Sequence, residues 1–184
     1  MLSAEKLVIL DRDGVINHDS DNYIKSLDEW VPYPSSIKAI ARLTRAGYTV
    51  AVATNQSGIG RGYYSEATLH AMHDHFIALV EHEGGRIAHI AYCPHGPDDH
   101  CQCRKPLPGL LLEIKDKLGI ASLAGSWMVG DSLRDLQAGE AVDCKTALVR
   151  TGKGLKTEQK DAGLAIDNAQ VFDDLAQFVE WLIG

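Results

Sequence analysis

A short apolar run near the start of the chain, Leu7-Val8-Ile9-Leu10, ends abruptly at Asp11-Arg12-Asp13-Gly14. A run of this length bounded by a turn signal is typical of a strand buried on both faces of a parallel sheet. Ligands of open α/β sheets bind beyond the carboxyl ends of the strands, and residues two apart on an extended chain point the same way. Asp11 and Asp13 are therefore expected to face one spot, where a cation would relieve their repulsion. An ordinary Asp-Gly turn that ends a strand is the alternative interpretation.

Apolar strand patterns alternate with helical patterns along the rest of the chain. Strands are predicted at residues 48–53, 86–92, 126–129 and 145–149, with a short edge strand at 164–166. Helices are predicted at residues 34–46, 65–84, 108–119, 133–141 and 172–183. This alternation predicts an α/β fold with a doubly wound, mostly parallel sheet. The 184 residues suit a single domain, 1–184, and the intervals between its motifs are too short for a separate cap domain.

Polar residues follow two more of the predicted strands. Thr54-Asn55 ends the second strand, and Gly130-Asp131 ends the fourth. Because parallel strands end at one edge of a sheet, Asp131 is expected to join Asp11 and Asp13 in an oxygen-rich site that suits Mg²⁺. Asp135 lies one helical turn after Asp131, on the same face. A capped helix with solvated acids is the alternative interpretation of Gly130-Asp131.

Positive charge to match these acids comes from Arg104-Lys105-Pro106. A phosphoryl group in transfer concentrates negative charge on its oxygens, so a site that stabilises it needs fixed cations and hydrogen-bond donors. Lys105 and the hydroxyl of Thr54 are the candidates. Without the acidic edge, a solvated Arg-Lys pair on a loop would be the simpler interpretation.

Three of the four cysteines lie within eleven positions, from Cys93 to Cys103, and His95 lies between them. Cys93, His95, Cys101 and Cys103 provide the four N/S ligands of a closed, structural Zn²⁺ site in a loop at 93–105. His100 is a rival for the imidazole position, and chance clustering of buried thiols is the alternative. Cys144, at the start of a predicted strand, is interpreted as a core residue.

Composition limits the partners of the chain. A formal net charge of -7 opposes binding to nucleic acid, whose protein partners usually present a basic face. No apolar stretch approaches the roughly 20 residues that span a bilayer, and no signal peptide precedes Asp11. We therefore expect a cytoplasmic monomer that binds a small molecule and neither nucleic acid nor membrane.

In order along the chain, these motifs resemble those of the haloacid dehalogenase-like phosphatases: Asp11-x-Asp13-Gly14, Thr54-Asn55, Lys105 and Gly130-Asp131-x-x-x-Asp135. The resemblance covers nearly the whole chain and implies a Rossmann-like fold. It implies that Asp11 attacks phosphorus to form an aspartyl-phosphate, and that Asp13 protonates the leaving oxygen and then deprotonates water. It also implies that Mg²⁺ is held by the Asp11 carboxylate, the Asp13 backbone carbonyl and Asp131, while Thr54 and Lys105 steady the phosphoryl group.

The segment from Cys93 to Pro106 narrows the resemblance to two groups, the heptose bisphosphate phosphatases and the histidinol-phosphate phosphatases. Residues 54–62 and 149–153 resemble the first group, whereas the short interval from His95 to Cys101 is more like the second. The first group implies hydrolysis of the 7-phosphate of D-glycero-D-manno-heptose 1,7-bisphosphate, as a phosphorylated small-molecule substrate. Substrate contacts are expected from Arg12, Asp19, Asn55, Gln56, Ser57, Arg61 and Arg104. A non-catalytic, zinc-stabilised binding module is the alternative from another functional class.

Overall fold

A six-stranded parallel sheet forms the centre of the computed structural model, which describes residues 2–160 and 164–184. The strands are β1 (Leu7–Leu10), β2 (Thr49–Asn55), β3 (His89–Cys93), β4 (Trp127–Gly130), β5 (Lys145–Val149) and β6 (Gln170–Phe172). Their order is β3-β2-β1-β4-β5-β6, and every pairing is parallel. The strand order therefore reverses between β1 and β4, at the position where ligands of such sheets bind. The predicted doubly wound parallel sheet is confirmed.

Helices cover both faces of this sheet. They are α1 (Pro34–Arg45), α2 (Glu66–His82), α3 (Gly109–Leu118), α4 (Leu133–Glu140), α5 (Gly154–Lys160), α6 (Leu164–Asp167) and α7 (Leu175–Ile183). The apolar side chains of α1, α2 and α7 pack in one cluster, and those of α3 pack in a second with Ala138 of α4. Leu133 and Leu136 of α4 pack in a third, smaller cluster with Leu148 of β5. Two apolar layers thus enclose the sheet, as expected when crossover helices alternate between its faces.

The four residues of β1 show why this strand lies in the middle. Val8 and Leu10 point into the layer beneath α1 and α2, whereas Leu7 and Ile9 point into the layer beneath α3 and α4. All four are 0% exposed. A strand with no polar face is buried between two neighbouring strands and between the two helix layers. The carboxyl end of β1 therefore lies at the centre of the carboxyl edge of the sheet.

The prediction is wrong near the carboxyl end of the chain. Residues 164–166, predicted as an edge strand, belong to the short helix α6, and the edge strand is β6 at Gln170–Phe172. The last helix begins at Leu175 rather than at Phe172, because Phe172 pairs with Val149 and Asp174 caps the helix through the Gln177 N–H. Residues 161–163, just before the predicted edge strand, lie outside the described residues.

Long connections leave the carboxyl edge of the sheet uncovered. In residues 11–33 and 94–108, all of which the structure describes, nothing longer than a 3-10 helix at Leu27–Glu29 is formed. The predicted lack of a separate cap domain is consistent with these loops. Among the described residues, no helix combines the length and the apolar character needed to cross a bilayer.

Candidate active site

Three carboxylates meet at the carboxyl edge of the sheet, at the point where the strand order reverses. Asp11 follows β1, Asp131 follows β4, and Asp135 lies in the first turn of α4. One carboxylate oxygen of each lies within 4.8 Å of the others, and all three residues are buried. The Asp11 N–H donates to the Val129 carbonyl at 2.9 Å, so the pairing of β1 with β4 continues into the site. The sheet itself therefore holds this acidic cluster together.

The ammonium of Lys105 lies inside the cluster and is 2% exposed. Its Nζ donates to Asp11 Oδ1 at 2.9 Å, to Asp135 Oδ1 at 2.7 Å and to the Ala53 carbonyl at 2.7 Å. Because an ammonium has three N–H donors, each donor has its own acceptor despite the burial. Three carboxylates and one ammonium leave the cluster with an excess of negative charge, which favours a further cation.

Burial is the largest single influence on the pKa values of Asp11, Lys105 and Asp131. Burial raises the pKa of Asp11 to about 7, with the Asp135 charge adding to the effect and Lys105 opposing it. Burial and then the Asp11 and Asp135 charges hold the pKa of Asp131 well above its ordinary value. Burial alone would lower the pKa of Lys105, but the charges of Asp11 and Asp135 hold it above its ordinary value. A divalent cation beside Asp11 and Asp131 would favour their ionised forms and lower these raised values.

Both oxygens of Asp135 are already hydrogen-bonded in this arrangement. Its Oδ1 accepts from Lys105, and its Oδ2 accepts from the backbone N–H groups of Asp131 at 3.2 Å and Ser132 at 3.1 Å. The Ser132 hydroxyl also donates to Oδ2 at 2.9 Å. Asp135 therefore caps α4 and neutralises Lys105, and Asp11 and Asp131, which accept fewer hydrogen bonds, are the better-placed carboxylates to hold a metal.

Two glycines bring separate loops against Asp131. Gly14 (φ +89°) and Gly152 (φ +58°) lie so near Asp131 Oδ2 that a Cβ on either would collide with it. The same oxygen accepts from the Lys153 N–H at 2.9 Å, and Thr151 Oγ1 donates to the Gly14 carbonyl at 2.6 Å. These contacts tie the loop after β1 to the loop after β5 and fix the orientation of Asp131.

The carboxylate of Asp13 is held from three sides. Its Oδ1 accepts from Arg12 Nε and from Asn17 Nδ2, both at 2.9 Å. Its Oδ2 accepts from Gln56 Nε2 at 3.0 Å. A carboxylate fixed in this way already has a single orientation before any reaction begins. Such an orientation suits a residue that transfers a proton to one particular atom.

Gln56 connects Asp13 to the second strand. Its Nε2 also donates to Thr54 Oγ1 at 2.9 Å, and its Oε1 accepts from the Tyr64 hydroxyl at 2.5 Å. Thr54 is 1% exposed and lies behind the wall of the site rather than on it. In this structure the Thr54 hydroxyl supports Gln56.

An open cavity of about 250 Å³ lies above these groups. Its wall contains most of the predicted site residues, namely Asp11, Asp13, Asp19, Asn55, Gln56, Ser57, Arg61, Arg104, Lys105 and Asp131. Arg12, predicted to contact substrate, lies behind the wall with a fully buried guanidinium, so it reaches the cavity only through Asp13. Asn55 lines the cavity and also clamps the backbone of Lys105, accepting from its N–H at 3.0 Å and donating to its carbonyl at 3.1 Å.

Several residues of the site were not predicted from the sequence. Arg134 and Lys153 line the cavity. The sequence pattern favours a solvated face for the histidines of this helix, and this prediction is wrong for His73, which is buried against Arg12. Its position could have been found, because Leu69, Met72, His73, Phe76 and Val80 recur at helical spacing and are all buried.

The cysteine cluster lies beside the cavity, where β3 ends. Cys93 Sγ is 3.0 Å from Cys103 Sγ and 3.7 Å from Cys101 Sγ, and His95 Nδ1 is 3.3 Å from Cys103 Sγ. All four ligand atoms lie within 4.8 Å of one another, whereas His100 is not part of the group. Three thiols and one imidazole this close together suit a tetrahedral Zn²⁺, whose N and S ligands lie about 3.5 to 3.8 Å apart, although Cys93 and Cys103 would have to separate slightly to hold it.

Backbone hydrogen bonds prepare one of these thiols for a metal. Burial raises the pKa of Cys101, but the N–H groups of Arg104 and Cys103 lower it to about 6 overall. The thiolate is the form that binds metals. Arg104 also donates to the His95 carbonyl at 3.3 Å, so the cluster is linked to the cavity wall by the residue that precedes Lys105.

Comparison with known proteins decides the family. The chain is 57% identical over 98% of its length to the D-glycero-β-D-manno-heptose-1,7-bisphosphate 7-phosphatase of Pseudomonas aeruginosa, of which it covers 99%. Residues 102–178 also match the HAD-hydrolase-like family model. The chain is a haloacid dehalogenase-like hydrolase. The family resemblance seen in the motifs is thereby confirmed.

Solved structures of this hydrolase family agree with the fold described above. The D,D-heptose 1,7-bisphosphate phosphatase of Bordetella bronchiseptica, complexed with magnesium and phosphate, superposes with a TM-score of 0.91 at 51% identity, over 97% of this chain and 98% of that one. The enzyme of the same name from Burkholderia thailandensis gives a TM-score of 0.74 at 44% identity, over 97% and 99% of the two chains. The chain is therefore an enzyme of the phosphoric monoester hydrolase class, in a family with a magnesium-bound member.

Proposed function

We propose that this hydrolase removes the 7-phosphate of D-glycero-β-D-manno-heptose 1,7-bisphosphate. One observation carries the proposal: a buried Asp11 is paired with Lys105 at the switch point of the sheet, beside an Asp13 that is fixed at the cavity wall. The names of relatives that are 51–57% identical over nearly the whole chain support the substrate. Histidinol phosphate, the alternative from the sequence, is left as a comparison substrate.

Asp11 is the nucleophile in this proposal. Lys105 holds Oδ1 of Asp11, so the carboxylate points from the end of β1 into the cavity and attacks phosphorus in line with the leaving oxygen. The P–O bond to the sugar breaks, and an aspartyl-phosphate forms. Lys105 also places a positive charge beside the phosphoryl oxygens, where negative charge develops in the transition state.

Asp13 acts as general acid and then as general base. Its proton passes to the leaving sugar oxygen in the first step, and it removes a proton from the water that hydrolyses the aspartyl-phosphate in the second step. Arg12, Asn17 and Gln56 hold the carboxylate while this happens. The two steps return Asp11 and Asp13 to their starting states.

Asp11, Asp131 and the backbone carbonyl of Asp13 would hold the Mg²⁺ of this enzyme. The excess negative charge of the buried cluster and its raised carboxyl pKa values fit a divalent cation. When bound, Mg²⁺ supplies charge neutralisation for the phosphoryl oxygens. Asp135 is left out of this ligand set, because its two oxygens already accept four hydrogen bonds, from Lys105, Asp131 and Ser132.

Four basic residues around the cavity suit the phosphate that is not transferred: Arg61, Arg104, Arg134 and Lys153. Burial and then the nearby charge of Arg134 lower the pKa of Arg104, which shows that like charges are crowded at this rim. Lys153 is the only one of the four with a carboxylate partner in the described part of the chain, Asp19 Oδ2 at 3.5 Å and Asp21 Oδ1 at 4.0 Å. Crowded cations on a chain of net charge -7 favour a doubly phosphorylated substrate.

Zn²⁺ is proposed for the four-ligand cluster in the loop at 93–105. Its three thiols and one imidazole leave no open position for a reacting group, so the ion would be structural. It would hold Arg104 and Lys105 in place at the cavity wall.

The test is phosphate release with Mg²⁺ from both anomers of heptose 1,7-bisphosphate, from histidinol phosphate and from fructose 1,6-bisphosphate. We expect the highest kcat/KM with the β-anomer, and no turnover by the folded Asp11→Asn variant. Asp74→Asn, at an exposed position of α2, is the matched control and should keep full activity. Preference for histidinol phosphate would overturn the substrate, and full activity of Asp11→Asn would overturn the mechanism.

A further inference from the structure

Helix α2 carries a buried histidine that the chemistry above does not use. His73 is 6% exposed, whereas His70 and His75 on the same helix are exposed. Its Nε2 lies 3.3 Å from Arg12 Nη1. Because a guanidinium in a protein stays protonated and can only donate, Nε2 of His73 is the acceptor and the ring proton is on Nδ1. His73 is therefore a neutral acceptor for a buried cation.

Arg12 is held at both ends of its guanidinium. Its Nε lies 2.9 Å and its Nη2 lies 2.8 Å from Asp13 Oδ1. Its Nη1 faces Met72 Sδ at 3.8 Å and His73 Nε2 at 3.3 Å. A thioether is a weak acceptor, so His73 provides the strong hydrogen bond on the side away from Asp13. The direction of the guanidinium is thus fixed from α2.

The neutrality of His73 matters for Asp13. A carboxylate at this position would compete with Asp13 for Arg12 and add negative charge to an acidic site. An apolar side chain would leave a buried donor of Arg12 without a strong acceptor. Burial, and then the charge of Arg12, lower the pKa of His73 to about 3, while Asp13 opposes this effect and His70 adds to it. The surroundings of the ring therefore keep it neutral.

We propose that His73 is a positioning residue for the reaction: by anchoring Arg12, it fixes the Asp13 carboxylate in the direction from which it protonates the leaving oxygen. The inference rests on the proposed function, in which the P–O bond breaks and the proton of Asp13 passes to that oxygen. His73 does not line the cavity, so it acts only through Arg12.

The test compares two leaving groups in three variants. A sugar alkoxide needs the proton of Asp13, whereas p-nitrophenolate leaves readily without one. If a hydrogen bond to a charged group is lost from the transition state, the rate is expected to fall about 10- to 100-fold. We expect His73→Leu to lose about this much kcat/KM on heptose bisphosphate, with an unchanged KM, and less than about threefold on p-nitrophenyl phosphate. His73→Gln, whose amide oxygen can accept from Arg12, should recover most of the loss, and His82→Leu, at an exposed position of α2, should match the unaltered protein.

Thermal unfolding checks that each variant is folded. Equal losses on both substrates, or no loss on either, would overturn the positioning role. If heptose bisphosphate is not hydrolysed by the unaltered protein, fructose 1,6-bisphosphate takes its place as the alkyl phosphate. Persistence of the contrast between leaving groups would then support the role of His73 while overturning the proposed substrate.

Discussion

Asp13 and Lys105 reach the cavity already oriented, because each is hydrogen-bonded to buried residues. Arg12, Asn17 and Gln56 hold Asp13, and the Ala53 carbonyl holds Lys105. Groups fixed before the substrate arrives need little reorganisation in the transition state, which is how a polar site stabilises developing charge. At the scale of single residues, the buried partners therefore matter as much as the residues that touch substrate.

The buried neutral state of His73 predicts a dependence of stability on pH. Its pKa of about 3 in the folded protein lies below the ordinary value of 6.5, so between these values the unfolded chain binds more protons. The stabilisation is present above about pH 6.5 and is lost as the pH falls. Between about pH 7.5 and pH 5.5, the unaltered protein should lose about 1 kcal/mol more free energy of unfolding than His73→Gln. Urea unfolding at the two pH values measures this difference, and equal losses would contradict it.

At the scale of elements, the buried strands and most helices could be predicted because each has its own local signal. The run Leu7–Leu10 and the polar residues that follow three strands were enough to place the acidic edge of the sheet. The segment after residue 160 was harder, because Phe172 fits a helical stripe in sequence but pairs with Val149 in the sheet. The roles of Arg12, Asn55 and His73 each depend on a partner 50 or more positions away in the sequence, and no local pattern reports these partners.

The turn after β1 can be tested through Gly14. A Cβ there would strain the backbone at φ +89° and collide with Asp131. Gly14→Ala should therefore lose at least about 1 kcal/mol of stability and most of its turnover, because Asp131 must move. Gly47 has the same φ of +89° but nothing within 4 Å of its Cβ position, so Gly47→Ala isolates the strain. Urea unfolding and kcat measure both, and comparable turnover of the two variants would contradict a role for the close contact.

The loop at 93–105 predicts a zinc dependence. We expect about one zinc per chain by elemental analysis, as four N/S ligands imply. Cys103→Ser should lose the metal, lower the melting temperature and raise KM, because the loop carries Arg104 and Lys105 into the cavity wall. Cys144→Ser is the matched control, since Cys144 is buried beside Ser126 and away from the cluster. Retention of zinc by Cys103→Ser would show that the four-ligand site is not the one occupied.

At the scale of the whole molecule, a chain with a net charge of -7 presents crowded arginines around the acidic cluster at the carboxyl edge of its sheet. Such a rim focuses the field on anions that approach the carboxyl edge of the sheet, and salt weakens this attraction. The net negative charge of the chain, which argues against binding of nucleic acid, is thus compatible with binding of a doubly phosphorylated small molecule.

The Arg134→Gln variant tests whether the positive charges around the cavity attract the bisphosphate. Loss of one partly exposed charge contact is worth up to about 1 kcal/mol, so KM for the bisphosphate should rise about threefold to fivefold. The rise should be smaller for a monophosphate and for either substrate at high salt, and kcat should be unchanged. Arg86→Gln, at an exposed position before β3 and hence at the opposite edge of the sheet, is the control. An equal rise in KM for both substrates would assign Arg134 to the transferred phosphate instead.

The double use of Asp135 has a consequence for the evolution of this fold. Asp135 both caps α4 and neutralises the buried Lys105, so loss of either residue leaves a buried charge without its partner. A descendant that had lost catalysis would therefore still be under selection to keep both residues. The same reasoning holds for Asp13, because its loss would leave the fully buried guanidinium of Arg12 without a carboxylate. Among distant descendants, retention of Asp13, Lys105 and Asp135 would therefore record ancestry and would not by itself identify a living enzyme.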